Sequence, residues 1–258
     1  MKPKLTLLLE GIPVSCNQFH MGVSNCFLIE ADDKKILFNT GPFSERVFLL
    51  GKLKSLGIAL TDIDVVVLSQ LHYDTAVNVD MFTNAEIYVH EKELVFAETT
   101  PQQDALMPNY LGRVVRALPK LKTIQGEIYL AEDVKIVELP GVTAGSIGLI
   151  AGDTLLAGGA IPTVRSARQK KLEVYQHDPD KALSSIEKAL GMAQKIYPGY
   201  DRLFAAEDYQ VLTEVGMRLR LFFSASGQDQ EYSIRSEQQA TFASWPPANQ
   251  LQANPDKN

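Results

Sequence analysis

Residues 63–75 read IDVVVLSQLHYDT. The uninterrupted apolar run Val65–Leu68 is too short for a helix and rich in β-branched residues, so it predicts a buried strand. Ser69 onward is a short polar loop that carries Gln70, His72, Asp74 and Thr75. A strand buried on both faces and ending in a loop of potential ligand or acid–base residues suits a sheet covered by helices, with a site at the strand ends.

Working outward, the same grammar recurs. SNCFLIEADDKKILFNTG (24–41) predicts two strands around an Asp32-Asp33 turn, and SIGLIAGDTLLAGGA (146–160) repeats the unit around Gly152-Asp153. Both end in a glycine-containing loop. A duplicated two-strand unit followed by helix predicts two sheets packed face to face with helices outside. The run Leu5–Leu9 reads as the first strand and Ile87–Val89 as a short one. Ser44 is placed to cap a helix with Val47, Leu50, Leu53 and Leu56 as its buried stripe and Gly57 as its stop. Asp178 and Pro179 open another helix, whose predicted stripe is Leu183, Ile186 and Leu190. Residues 98–120 have weak periodicity and read either as a pocket cover or as a surface loop. Tyr209–Val215, Met217–Phe223 and Gln230–Ile234 predict a terminal meander. One domain over 1–245 and a flexible tail over 246–258 are expected.

Composition bounds the function. With 258 residues, 45% hydrophobic and 22% charged, the chain can bury one large core. A net charge of −6 and no Lys/Arg cluster beyond the short run Arg165–Lys171 exclude a nucleic-acid or anionic-membrane footprint. No stretch approaches the roughly 18 apolar residues of a membrane span. Cys16 and Cys26 lack zinc-type spacing and predict reduced thiols, which points to the cytoplasm.

The order and spacing of these segments over roughly 5–205 resemble the metallo-β-lactamase superfamily, and NVDMFTNAEIYVHEKEL (78–94) resembles its lactonase-like hydrolase branch. The resemblance implies a mixed α/β (α+β) fold, a four-layer αβ/βα sandwich. It also implies a site for two metal ions held by five histidines and two aspartates. The HxHxDH motif of that family falls on Gln70, His72, Asp74 and Thr75. Its PGHTxGS segment is LPGVTAGS (139–146), which places Val142 at a histidine position. Its AGD is AGG (157–159), leaving Gly159 at the bridging aspartate, and its last PGH is PGY (198–200), leaving Tyr200. Asn39 replaces the supporting aspartate of DTG. Only His72 and Asp74 remain of seven ligands, whereas zinc normally takes three or four strong donors. Gly41, Gly141, Gly145, Pro198 and Gly199 keep the backbone pattern.

The expectation is therefore a non-catalytic member of the fold, a pseudoenzyme with no bound metal, in which His72 and Asp74 satisfy each other inside the pocket. It would bind a small-molecule ligand or serve as a partner or structural subunit, in a homo-oligomer or beside an intact homologue. The alternative is a hydrolase of lactones, thioesters or related esters with zinc or another divalent metal at an atypical site on His72 and Asp74. A third reading uses His72 as a metal-free base with Thr75 or Tyr200. His90 and His177 are expected to be structural or exposed, and His20 a solvent-facing loop residue. Trp245, Phe222 and Phe223 can serve either an interface or the core.

Overall fold

A computed structural model describes residues 2–13, 22–99, 104–172 and 176–213, together with the backbone of 217–223 and 228–234. Cys16, His20, Trp245, the tail 246–258 and the side chains of Phe222 and Phe223 lie outside the described residues.

The first sheet has the order β1 (Lys4–Leu9), β2 (Cys26–Ala31), β3 (Lys34–Phe38), β4 (Val65–Val67), β5 (Glu86–His90) and β6 (Leu121–Ile124). β1, β2 and β3 are antiparallel, and β3 through β6 are parallel. Parallel neighbours need crossovers. These are supplied by α1 (Arg46–Ser55) between β3 and β4, by α2 (Tyr73–Ala76) before β5, and by α3 (Glu91–Thr99) and α4 (Leu111–Arg116) before β6. The second sheet contains β7 (Ile128–Ala131), β8 (Val134–Glu138), β9 (Ile147–Ala151), β10 (Thr154–Leu156), β11 (Lys195–Tyr197) and β12 (Phe204–Ala205). α5 (Val164–Gln169) and α6 (Pro179–Leu190) follow β10, and β13 (Met217–Phe223) pairs with β14 (Gln228–Ile234) in a hairpin.

Alternation along the strands sorts the core into layers. Phe27, Ile29, Ile36, Phe38, Val65 and Val67 of the first sheet pack against Val134, Ile136, Ile147, Leu149 and Leu156 of the second. Their neighbours Leu28, Leu37, Val66 and Ile87 face away and pack on Leu49, Leu53, Leu94 and Val115 of the helices. On the far side Val137, Leu155 and Ile196 meet Val164, Ala182 and Ile186. This is the expected αβ/βα sandwich.

Several local readings are corrected. Ser44 does not cap α1; it lies in a 3-10 turn, Phe43–Glu45, that leads into the helix. The buried stripe of α1 is Leu49 and Leu53, while Val47 is 75% and Phe48 67% exposed and Leu50 and Leu56 are exposed as well. In α6, Asp178 does accept from the Lys181 N–H as its cap, but the buried face is Ala182, Ser185, Ile186 and Ala189, and Leu183 points outward. Small residues let α6 approach the loop after β8, where Ser185 Oγ donates to the Pro140 carbonyl at 2.6 Å. Of the expected meander, Val211 forms an antiparallel bridge with Phe204, flanked by backbone bonds from Ala205 to Gln210 and from Leu212 to Leu203, and β13 pairs with β14; positions 214–216 lie outside the described residues. The 104–116 part of the ambiguous segment is no surface loop: Asp104, Met107, Leu111 and Val115 are buried.

Candidate active-site region

The loops that leave β3, β4, β8, β10 and β11 converge at one end of the sandwich. Asn39, in a left-handed conformation with φ +62°, ends β3. Its Oδ1 accepts the Ser69 N–H at 2.9 Å, so it ties the first loop to the loop after β4. The Ser69 carbonyl in turn accepts from Ile147 N at 2.9 Å, a bond from the first sheet to the second. Asn25 N donates to the Gly199 carbonyl at 2.6 Å, and Tyr200 N donates to Pro162. These backbone bonds bring Gln70, His72, Asp74, Thr75, Val142, Gly159 and Tyr200 together, all buried.

Each side chain has a definite environment. Gln70 Nε2 donates to His72 Nδ1 at 2.5 Å, and the opposite ring nitrogen donates to Asp104 Oδ2 at 2.8 Å. With the amide in this orientation the imidazole is neutral and carries its proton on Nε2. Gln70 also occupies the space above Gly159: a Cβ there would stand 2.3 Å from Gln70 Oε1 and 2.9 Å from both Cδ and Nε2. Val142 joins the apolar cluster under α5 and α6. Thr75 Oγ1 lies 3.3 Å from Asp74 Oδ1, while Asp74 Oδ2, Gln70 Oε1 and Ser69 Oγ are buried without a hydrogen-bond partner. His72 and Asp74 do not satisfy each other as expected; Asp104 takes the role assigned to Asp74.

The electrostatics follow from burial and proximity. Burial pulls His72 down, but the charge and hydrogen bond of Asp104, then the charges of Asp74 and Glu93, more than offset it and leave the imidazole above its ordinary value. For Asp104 burial pushes up, and His72 together with the Leu106 N–H holds the carboxyl below the usual range. Burial first, and the Asp74 carboxylate second, push the Tyr200 phenol well above its ordinary value.

Two carboxylates here escaped the sequence reading. Asp104 sits in PQQDALMP, which has no periodicity to expose it, and it reaches the site because Tyr73 N pins the Leu106 carbonyl at 2.9 Å. Glu93 was legible in principle, since it shares a helix face with Ala97 and adjoins Leu94, all buried. Its Oε1 accepts from Leu71 N at 2.8 Å, and its Oε2 accepts from Thr143 Oγ1 at 2.5 Å and Gly145 N at 3.2 Å. One buried carboxylate thus ties the loop after β4 to the loop after β8. His90 is structural, accepting from Lys92 N and donating to Glu138, and His177 is exposed with its ring against Phe96. Cys26 is a free, fully buried thiol whose pKa burial raises.

Residues 21–199 match the Metallo-beta-lactamase superfamily as a family. The chain belongs to that superfamily. Among curated relatives, a probable metallo-hydrolase of Methanocaldococcus jannaschii is 26% identical over 163 residues, covering 63% of this chain and 68% of the relative. An N-acyl homoserine lactonase of a Bacillus species is 23% identical over 203 residues, covering 67% and 77%. Among solved structures, a Thermotoga maritima metallo-beta-lactamase-type protein superimposes with a TM-score of 0.65 at 20% identity, over 80% of this chain and all of that one. Bacillus thuringiensis AiiA, solved with N-decanoyl-L-homoserine at its active site, gives 0.61 at 21% identity, over 78% and 93%. These superpositions show the same fold, and the curated relatives carry the names of hydrolases. Among the described residues no helix is long and apolar enough to cross a membrane.

Proposed function

We propose that this superfamily member is non-catalytic, with its ancestral metal pocket closed by its own side chains, and that it acts by binding a ligand or a partner protein. The observation that carries this reading is the Gln70 amide, which stands where a side chain at position 159 would project while capping one nitrogen of His72. Asp104 takes the other nitrogen. A histidine can ligate a metal only through a free ring nitrogen. Neither nitrogen of His72 is free in this arrangement. Among the described residues no group of three or more His, Cys, Asp or Glu is arranged to hold an ion. The donors present therefore do not fit the two-metal chemistry of the family, in which bound water is made nucleophilic near neutral pH.

The alternative, a hydrolase of lactones, thioesters or related esters with an atypical metal site, draws on one observation: Asp74 Oδ2 is buried without a hydrogen-bond partner and would welcome a cation. Metal content separates the two. Protein made without an affinity tag and dialysed against zinc should hold well under a tenth of an ion per chain. A full equivalent that disappears in His72→Ala, accompanied by chelator-sensitive lactone hydrolysis, would establish the alternative. Restoring Gln70→His, Thr75→His, Val142→His, Gly159→Asp and Tyr200→His together should recover zinc binding, because the loops that carry these positions already converge.

A further inference from the structure

We infer that the outer face of α1 is the interface of a homodimer in which two copies of α1 cross in antiparallel fashion at Gly51. Of the ten large hydrophobic side chains exposed among the described residues, five lie between positions 43 and 56: Phe43, Val47, Phe48, Leu50 and Leu56. Exposed apolar side chains gathered in one patch, unlike scattered ones, mark an interaction surface. The helix buries only Leu49 and Leu53. At about 100° per residue, the point opposite those two is Gly51.

Gly51 supplies a second, independent observation. It lies inside a ten-residue helix, where glycine costs about 1 kcal/mol relative to alanine. A Cβ at this position would meet nothing within 4 Å. Nothing in the monomer requires the glycine, whereas a second helix crossing over it would use the missing side chain for close approach.

The partner is a second copy because the surface is complementary to itself. Phe43, Val47, Leu50 and Lys54 fall on one flank of the exposed face. That flank continues into an apolar groove of about 440 Å³ lined by Leu50, Leu53, Lys54, Gly57, Ile58, Ala59 and Leu60. A two-fold axis at Gly51 reverses direction while keeping like flanks together. It therefore brings Phe43 and Val47 of each copy against the Lys54–Leu60 groove of the other. This assignment rests on the surface of α1 and not on the state of the pocket, so either reading can fail without the other.

Light scattering on the eluting full-length chain tests it. The wild type should show twice the 28.5 kDa chain mass at micromolar concentration. Val47→Glu should halve that mass and leave circular dichroism and the melting temperature unchanged, since Val47 makes little contact with the core. In a Cys16→Ser background, Gly51→Cys should form an intermolecular disulfide under mild oxidation, because helices crossing there bring the two Cα atoms within the roughly 4.4–6.8 Å a disulfide spans. A wild type of 28.5 kDa at every concentration overturns the proposal. So does a dimer that persists in Val47→Glu, or one that gives no Gly51→Cys crosslink.

Discussion

Gly159→Ala is the smallest change that asks whether Gln70 holds the pocket shut. Gly159 is not in the left-handed region, so alanine meets no backbone strain, but its Cβ would come within 2.3 Å of Gln70 Oε1. The atom in the way is the end of a flexible side chain, so the amide should swing aside rather than the loops. In doing so it gives up the 2.5 Å bond to His72 Nδ1 and leaves a buried nitrogen unpaired, a loss of about 1–3 kcal/mol. For a chain of this size each kcal/mol lowers the melting temperature by about 2–4 °C. Gln70→Ala removes the obstructing amide and should destabilise for the same reason, leaving His72 Nδ1 without its donor. Once Gln70 is alanine, however, the methyl at position 159 enters vacated space. The double variant should then be at least about 1 kcal/mol more stable than the two single losses predict, well outside the roughly 0.5 kcal/mol scatter of independent sites. Urea denaturation of the four proteins of the cycle reads this directly. Additive losses would show that Gln70 and Gly159 do not share space and that the Gln70 amide does not close the pocket.

Other outcomes follow from the same geometry. His72 is raised and Asp104 lowered, so their mutual stabilisation is complete below the ordinary histidine value near 6.5 and is lost as pH rises through the elevated pKa of His72. At the acid end it is lost as pH falls below the ordinary aspartate value through the depressed pKa of Asp104. Asp104→Asn should therefore flatten the stability profile above pH 6.5, and an unchanged slope in denaturant titrations would remove the pair from the account. Protonating His72 turns Nδ1 into a donor, which requires the Gln70 amide to rotate and present Oε1. Glu93→Ala should lower stability by at least about 3 kcal/mol, since three donors from two loops lose their acceptor together; a urea midpoint near wild type would show that the loops hold without it. Zinc or chelator should leave the melting temperature in place. Saturation at a hundred times Kd would add about 2.7 kcal/mol of apparent stability, a rise that calorimetry would register clearly.

Sequence alone fixed the layers and the address of the site. Period-two alternation, the Asp32-Asp33 and Gly152-Asp153 turns and the strand at 65–68 depend on local sterics and on which residues avoid water, and both are written into neighbouring positions. The convergence of Gln70, Thr75, Val142, Gly159 and Tyr200 on one region was equally legible, because each stands at a defined offset from a strand end or a glycine. The sequence did not disclose which side chains these residues touch. Gln70 covers Gly159, and Asp104 caps His72, across separations of 89 and 32 positions in the chain. Neither Asp104 nor its surroundings carries a periodic signal, so only the fold could bring that carboxylate to the imidazole. The misread faces of α1 and α6 have the same origin. A hydrophobic stripe shows which side of a helix can be buried. The small residues of α6 and the outward Val47 and Phe48 of α1 show that the choice was made by the sheets and loops packed against each helix, over distances that local sequence does not encode.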